Sequence, residues 1–233
     1  MKISRRRMFL GFAGLAALGG MLTGRSAASR YYNGPVSDHF DGMRFFDPHG
    51  SPPKKLSELL RWWSENGKSK WPDWNPSPYA DTPPKRVEGA AWRMSYVGHA
   101  TMLLQTAGLN ILMDPVWSER CSPFTFAGPK RCNAPGIDFE KLPPIDAVLV
   151  SHCHYDHLDV VTLSQLAAAH NPRVITPLGN DTIMREYDPA IRAEAHDWGD
   201  TASLGNGVTV TLAPMQHWSA RHYLDRNKAL WSA

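Results

Sequence analysis

The nine residues Ser151-His-Cys-His-Tyr-Asp-His-Leu-Asp159 constrain this chain more than any other stretch. They place three imidazoles and a carboxylate, His152, His154, His157 and Asp156, within six residues. They follow directly on an apolar run, Ile145-Asp-Ala-Val-Leu-Val150, that reads as a buried strand. Imidazole and carboxylate together suit zinc and its divalent neighbours, and a position open to water makes such an ion a hydrolytic catalyst. Scattered surface or core histidines would not need this spacing. An H-x-H-x-D-H sequence at the carboxyl end of a buried strand therefore reads as a metal site.

The remaining pattern is α/β. An amphipathic helix is predicted from Leu56, Leu59, Leu60 and Trp63, which fall at i, i+3, i+4 and i+7. Three strands are predicted at 92–97, 101–106 and 109–113, the last two joined by a tight Ala107-Gly108 turn. A Pro/Gly-rich loop runs from 114 to 144, before the strand that delivers the histidines. A helix at 160–169 is stopped by Asn171-Pro172, followed by a strand at 173–176, a short helix at 181–186 and a strand at 208–213. His217 lies just past that last strand, as the 152–157 motif lies past its own, and is the natural third imidazole for one ion beside His152 and His154. Strands with interspersed helices, and ligands at two strand ends, indicate a layered α/β fold.

Other polar residues read more plainly. Asp114, at a strand end, fits either a carboxylate orienting a ligating imidazole or a turn cap. His99 is expected to be a buried, hydrogen-bonded residue near the site, and His170 and His196 to lie on the surface. Cys153 is expected to face away from the ligands, and Trp71, Trp74 and Tyr79 to anchor a wandering proline-rich segment.

Charge is uneven along the chain. The formal net charge of +3 includes five basic and no acidic residues in 1–28, so the remainder carries −2. Nothing in that remainder argues for a nucleic-acid surface. Residues 1–28 read as a twin-arginine export signal, with Ser4-Arg-Arg-Arg-Met-Phe-Leu10, a Gly/Ala-rich apolar stretch from 9 to 22, and small residues for cleavage after Ala28. A periplasmic or exported protein, folded around its metal before transport, is the expectation. Residues 29–84 then form an arm with one helix, and 85–233 the site-bearing domain.

The metal motif with a later strand-end His217 resembles the metallo-β-lactamase fold superfamily. Tyr96-Val-Gly-His99-Ala-Thr101, Met113-Asp-Pro115, Ser122-Pro123, Gly128-Pro-Lys-Arg131, Leu142-Pro-Pro-Ile-Asp-Ala-Val148 and Gln216-His-Trp218 resemble the branch containing N-acylphosphatidylethanolamine-hydrolysing phospholipase D and its bacterial relatives. The resemblance covers residues 85–233 and implies an αββα sandwich with two zinc ions at its loop ends. His152, His154 and His217 would hold the first zinc, and Asp156 and His157 would start the second. Asp156 would also act in catalysis, and Lys130 and Arg131 would contact a substrate phosphate. The family takes a bridging aspartate and a further histidine from its second half. The residues after His217 offer only Asp225 and His222, in other contexts. One well-formed site, and an incomplete sandwich, is therefore the expectation.

Three functions follow from the resemblance. The first is phosphodiester hydrolysis of N-acylphosphatidylethanolamine-like lipids at a membrane surface. The second is hydrolysis of a lactone or other small ester. The third is an inactive fragment holding at most one metal.

Overall fold

A computed structural model of the chain describes residues 31–50, 56–65 and 72–233. The expected export leader and Trp71 lie outside the described residues. The framework is a six-stranded sheet in chain order: β1 (Trp92–Gly98), β2 (Thr101–Thr106), β3 (Leu109–Met113), β4 (Ala147–Leu149), β5 (Arg173–Pro177) and β6 (Arg192–His196). β1 to β3 are antiparallel neighbours, and β3 to β6 are parallel. The β2–β3 turn has φ of 50° at Ala107 and 76° at Gly108, the doubly positive two-residue turn whose twist matches its strands. It fixes the register Thr106 opposite Leu109. One consequence governs the site. β1, β3 and β4 all run the same way, so their carboxyl ends share one edge of the sheet.

Alternation along the strands assigns the two faces. Leu103, Leu112, Val148 and Val174 point to one face and are buried against Leu163 and Leu166 of α2 (Val160–His170) and Ile183 and Met184 of α3 (Asn180–Tyr187). Ile175 and Leu149 point to the other face and meet Ala202, Leu204 and Leu212, from a small antiparallel sheet of β7 (Thr201–Gly205) and β8 (Val208–Thr211) and the residue just past it. Helices, large sheet and small sheet make three layers, the α/β arrangement expected from the sequence. A cleft of ≈ 420 Å³ remains between the sheets, lined by Leu104, Ile111, Leu149 and Val210 and by the polar Asp114 and Ser151. A further helix, α1 (Leu56–Ser64), forms in the N-terminal arm where the apolar spacing predicts one.

α2 begins where the metal motif ends. Asp159 caps it, accepting hydrogen bonds from the backbone N–H groups of Val161 and Thr162. The same carboxylate accepts from the Ser118 N–H and hydroxyl and from the Thr162 hydroxyl, tying the loop after β3 to the helix. At the other end Asn171 adopts φ 49°, and Pro172 ends the helix. Asp159→Ala should lower the unfolding free energy by about 2 kcal/mol, since it removes a cap and orphans buried donors. Urea denaturation measures this directly, and an unchanged midpoint would deny Asp159 the role.

The arm is not loose where it is described. Phe40 and Phe45 are buried with Leu230 and Trp231. The Phe45 N–H donates to the Asn227 carbonyl at 2.8 Å, and the Tyr31 hydroxyl donates to Asp225 at 3.1 Å. Trp74 is exposed, so it does not anchor the proline-rich segment as expected, whereas Tyr79 packs edge-on against Tyr96.

Candidate metal centre

Ser151 to Leu158 form a loop at the β4 end of the sheet, folded on itself by Leu158 N–H to His154 carbonyl at 2.8 Å and His157 N–H to the same carbonyl at 3.0 Å. Leu158 and Cys153 plug into the helix-side core and hold the loop down. Burial pushes the Cys153 thiol up to about 12, so it stays a protonated, core-facing group, as the sequence suggested. The Arg221 guanidinium donates to the carbonyls of Cys153 at 3.0 Å and Leu158 at 2.8 Å, and stacks 3.9 Å over the Tyr155 ring. Asp225 accepts from the backbone of Arg221 and His222, so these late residues serve the scaffold.

With the loop so held, His152 Nε2 lies 2.8 Å from His154 Nδ1 and 2.9 Å from His217 Nε2. The structure thus joins three of the predicted ligands, although His217 comes from the segment after β8, 65 residues away. One ring nitrogen cannot donate a single proton to two neighbours. Three converging lone pairs would be satisfied together by a cation. His154 Nε2 is also buried with no hydrogen-bond partner among the described residues. Burial first, then the neighbouring imidazoles, holds the pKa of His152 down at about 2. Burial and His217 hold that of His154 at about 4, against the opposing charge of Asp156. Burial lowers that of His217 as well. These imidazoles are therefore neutral at pH 7, the state a metal requires.

Asp114 governs the orientation of the rings. Its carboxylate accepts from the Ser151 N–H and hydroxyl, each at 2.7 Å, and from His157 Nδ1 at 2.7 Å. The Ser151 hydroxyl in turn sits 2.9 Å from His152 Nδ1. Both ring-orienting and turn-capping roles foreseen for Asp114 are present in one side chain. Burial pulls the His157 pKa down, but the hydrogen bond and charge of Asp114 with the charge of Asp156 prevail, and it is raised. Burial pushes that of Asp156 up, but the charge of His157 and contact with His99 leave it below the ordinary carboxylate value.

Three expectations need correction. His99 is not buried: its side chain is 59% exposed, and its Nε2 lies 2.9 Å from Asp156 Oδ2. The described residues hold two groups of three potential ligands, His152/His154/His217 and His99/Asp156/His157, where the sequence was read as completing only one. The turn after β1 falls on the same sheet edge as the end of β4, because β1 and β4 are codirectional. The substrate candidates fare differently from the ligands. Lys130 is exposed and paired with Glu119 at 2.8 Å. Arg131 is half-buried, donates to the Val116 carbonyl at 2.6 Å and lies under Gly98. His170 and His196 are half-buried rather than on the surface. The backbone N–H of Ile145 approaches His170 Nδ1 at 3.5 Å, and His196 ends β6.

Residues 109–233, from β3 to the last residue given, match the family described as the beta-lactamase superfamily domain. The chain belongs to the beta-lactamase superfamily. Its sheet edge of convergent histidines is thus the place where that superfamily's metal chemistry would reside. Among curated relatives of this superfamily member, an uncharacterized protein of Mycobacterium tuberculosis is 38% identical over 159 residues, covering 68% of this chain and 42% of the relative. An N-acyl-phosphatidylethanolamine-hydrolyzing phospholipase D of Caenorhabditis elegans is 37% identical over 147 residues, covering 59% and 41%. A protein named as a metal-dependent hydrolase in Anaeromyxobacter sp. is 32% identical over 136 residues, covering 56% and 44%. The chain spans less than half the length of each of these relatives.

Proposed function

We propose that this chain carries the zinc-binding part of a hydrolase of phospholipase D type, acting on phosphodiester lipids with an N-acylated ethanolamine head group. The likeness to the Caenorhabditis elegans phospholipase D carries the reading. The apolar cleft supports it, because Asp114 and Ser151 line that cleft and also orient the histidines, so an acyl-bearing substrate could rest beside the site.

The three neutral imidazoles of His152, His154 and His217 would hold the zinc. When bound, zinc supplies Lewis acidity and lowers the pKa of a water from ~15.7 to about 7. Asp156, a half-exposed ionised carboxylate, orients the attacking water and accepts its proton. The water oxygen ends on phosphorus, the bond from phosphorus to the ethanolamine oxygen breaks, and a proton is delivered to that oxygen. The products are phosphatidate and an N-acylethanolamine. Arg131, whose guanidinium lies under Gly98 at the end of β1, favours anionic phosphoryl oxygens near that edge.

The test is the full chain, loaded with zinc, on vesicles containing N-acylphosphatidylethanolamine, with N-acylethanolamine release followed by mass spectrometry. Release that disappears with a chelator and in His217→Ala is the expected result. Zinc-loaded protein that leaves the lipid intact would sink the lipid reading, and turnover of soluble lactones in its place would move the assignment to small esters.

A further inference from the structure

We infer that Arg226, stacked on Trp218 beside the three-histidine group, forms a subsite for a phosphate group other than the one cleaved, and that a phospholipid head group supplies it. The phosphate chemistry stands on the loop itself. Only its place beside a reacting lipid rests on the proposed function.

Trp218 is positioned by its neighbour. It follows His217 directly, and its ring meets that of His154 edge-on at 4.4 Å and lies 6.5 Å from that of His217. The residue remains 41% exposed. The Arg226 guanidinium lies over it, with Cζ 4.5 Å from the ring centroid. Both groups are planar, so the stack orients the guanidinium fork before any ligand arrives.

The backbone that carries Arg226 is pinned on both sides. The Asn227 N–H donates to the Ser219 carbonyl at 2.7 Å, and the Ser219 N–H donates to Asn227 Oδ1 at 3.2 Å, which closes the loop. From the N-terminal arm, Arg44 donates to the Arg226 carbonyl at 2.6 Å. The stack is therefore built on a fixed frame.

What Arg226 lacks is an acceptor. Every other arginine among the described residues donates to a carbonyl or carboxylate oxygen. The Arg226 guanidinium donates to none among them, and its Nε is buried without a partner. The adjacent carboxylate, Asp225, is engaged by the Tyr31 hydroxyl and the N–H groups of Arg221 and His222. An oriented, uncommitted arginine fork suits two oxygens of a phosphate. The same loop exposes Tyr223 at 82% and Leu224 at 46%. Exposed aromatic and aliphatic side chains around a cation match the boundary of an anionic lipid surface. A phosphate free in solution gains nothing from that apolar rim, which favours the lipid head group.

Phosphate binding is measured by phosphorus NMR on the full chain with chelator present, so that no metal contributes, and circular dichroism checks the fold. Arg226→Gln should bind inorganic phosphate about 10-fold or more weakly than the wild type, the factor expected when a charge-assisted hydrogen bond is lost. Arg226→Lys keeps the charge without the planar fork and should fall between them. In flotation with vesicles of phosphatidylcholine and phosphatidylglycerol, the wild type should bind about 10-fold more tightly than Arg226→Gln, whereas phosphatidylcholine vesicles should hardly separate the two. Equal phosphate affinity in wild type and Arg226→Gln, or no phosphate bound by the folded wild type, would overturn the subsite. A loss of phosphate binding in Arg226→Gln with no difference on either vesicle would keep the phosphate and overturn the lipid as its source. Protein that binds phosphate through Arg226 but, loaded with zinc, leaves N-acylphosphatidylethanolamine intact would overturn the lipid hydrolysis and leave the subsite standing.

Discussion

His152→Ala should strip the three-histidine group of its metal, weakening zinc binding there on the order of 100-fold or more. The size follows from the position of the residue. His152 is 1% exposed and its Nε2 is the nitrogen that both His154 and His217 approach. Structural zinc sites with four ligands bind with about 10–16 kcal/mol, so one ligand accounts for roughly 3 kcal/mol, or about two decades in Kd. Loss of the metal also removes the stabilisation that a ligand of the native state provides by mass action. The wild type should therefore melt higher with zinc than with chelator, and the variant should show little of that difference. His170→Ala is the matched control, because His170 belongs to neither ligand group. If His152→Ala keeps the zinc-dependent rise in melting temperature, His152 is not a ligand.

Much of this site could be read from residues alone, and the parts that could not have physical reasons. β2 and β3 fall where their apolar alternation and the Ala107-Gly108 turn put them, because the turn and the pattern independently require the same register. α2 stops at Asn171 for the same kind of reason: a left-handed cap and a following proline agree. β6 was not foreseen. Its sequence Arg-Ala-Glu-Ala-His lacks β-branched and aromatic residues, and tertiary pairing with β5 makes it a strand. β7, Thr-Ala-Ser-Leu-Gly, is equally weak in local preference and is held by β8. The contiguous ligands were legible because one loop carries them. His217 was legible because it follows a predicted strand. His99 was misjudged because its role depends on strand direction: only once β1 and β4 are known to run the same way does its turn fall beside Asp156.

Asp114→Asn should lower the metal affinity of both ligand groups by about 10–100-fold while leaving the fold in place, the range seen when a carboxylate behind metal-bound histidines is lost. The reason is the direction of its hydrogen bonds. As a carboxylate, Asp114 can only accept, so His157 must carry its proton on Nδ1 and keep the Nε2 lone pair free. The Ser151 hydroxyl must likewise donate to Asp114, which leaves its oxygen to accept from His152 Nδ1 and keeps the His152 Nε2 lone pair free for the cluster. One carboxylate thus sets the tautomers of two imidazoles, one in each group. An asparagine of the same shape tolerates the φ of 41° and can still accept from the Ser151 N–H through its carbonyl oxygen. Its amide would then face His157 and the Ser151 hydroxyl as a donor. Both histidines would be driven to carry the proton on Nε2, the nitrogen the metal needs. Asp114→Ala, by contrast, leaves buried partners without an acceptor and should cost about 1–3 kcal/mol of stability as well. Comparing the two separates tautomer control from packing: Asp114→Asn with unaltered zinc affinity would show that Asp114 merely caps the turn.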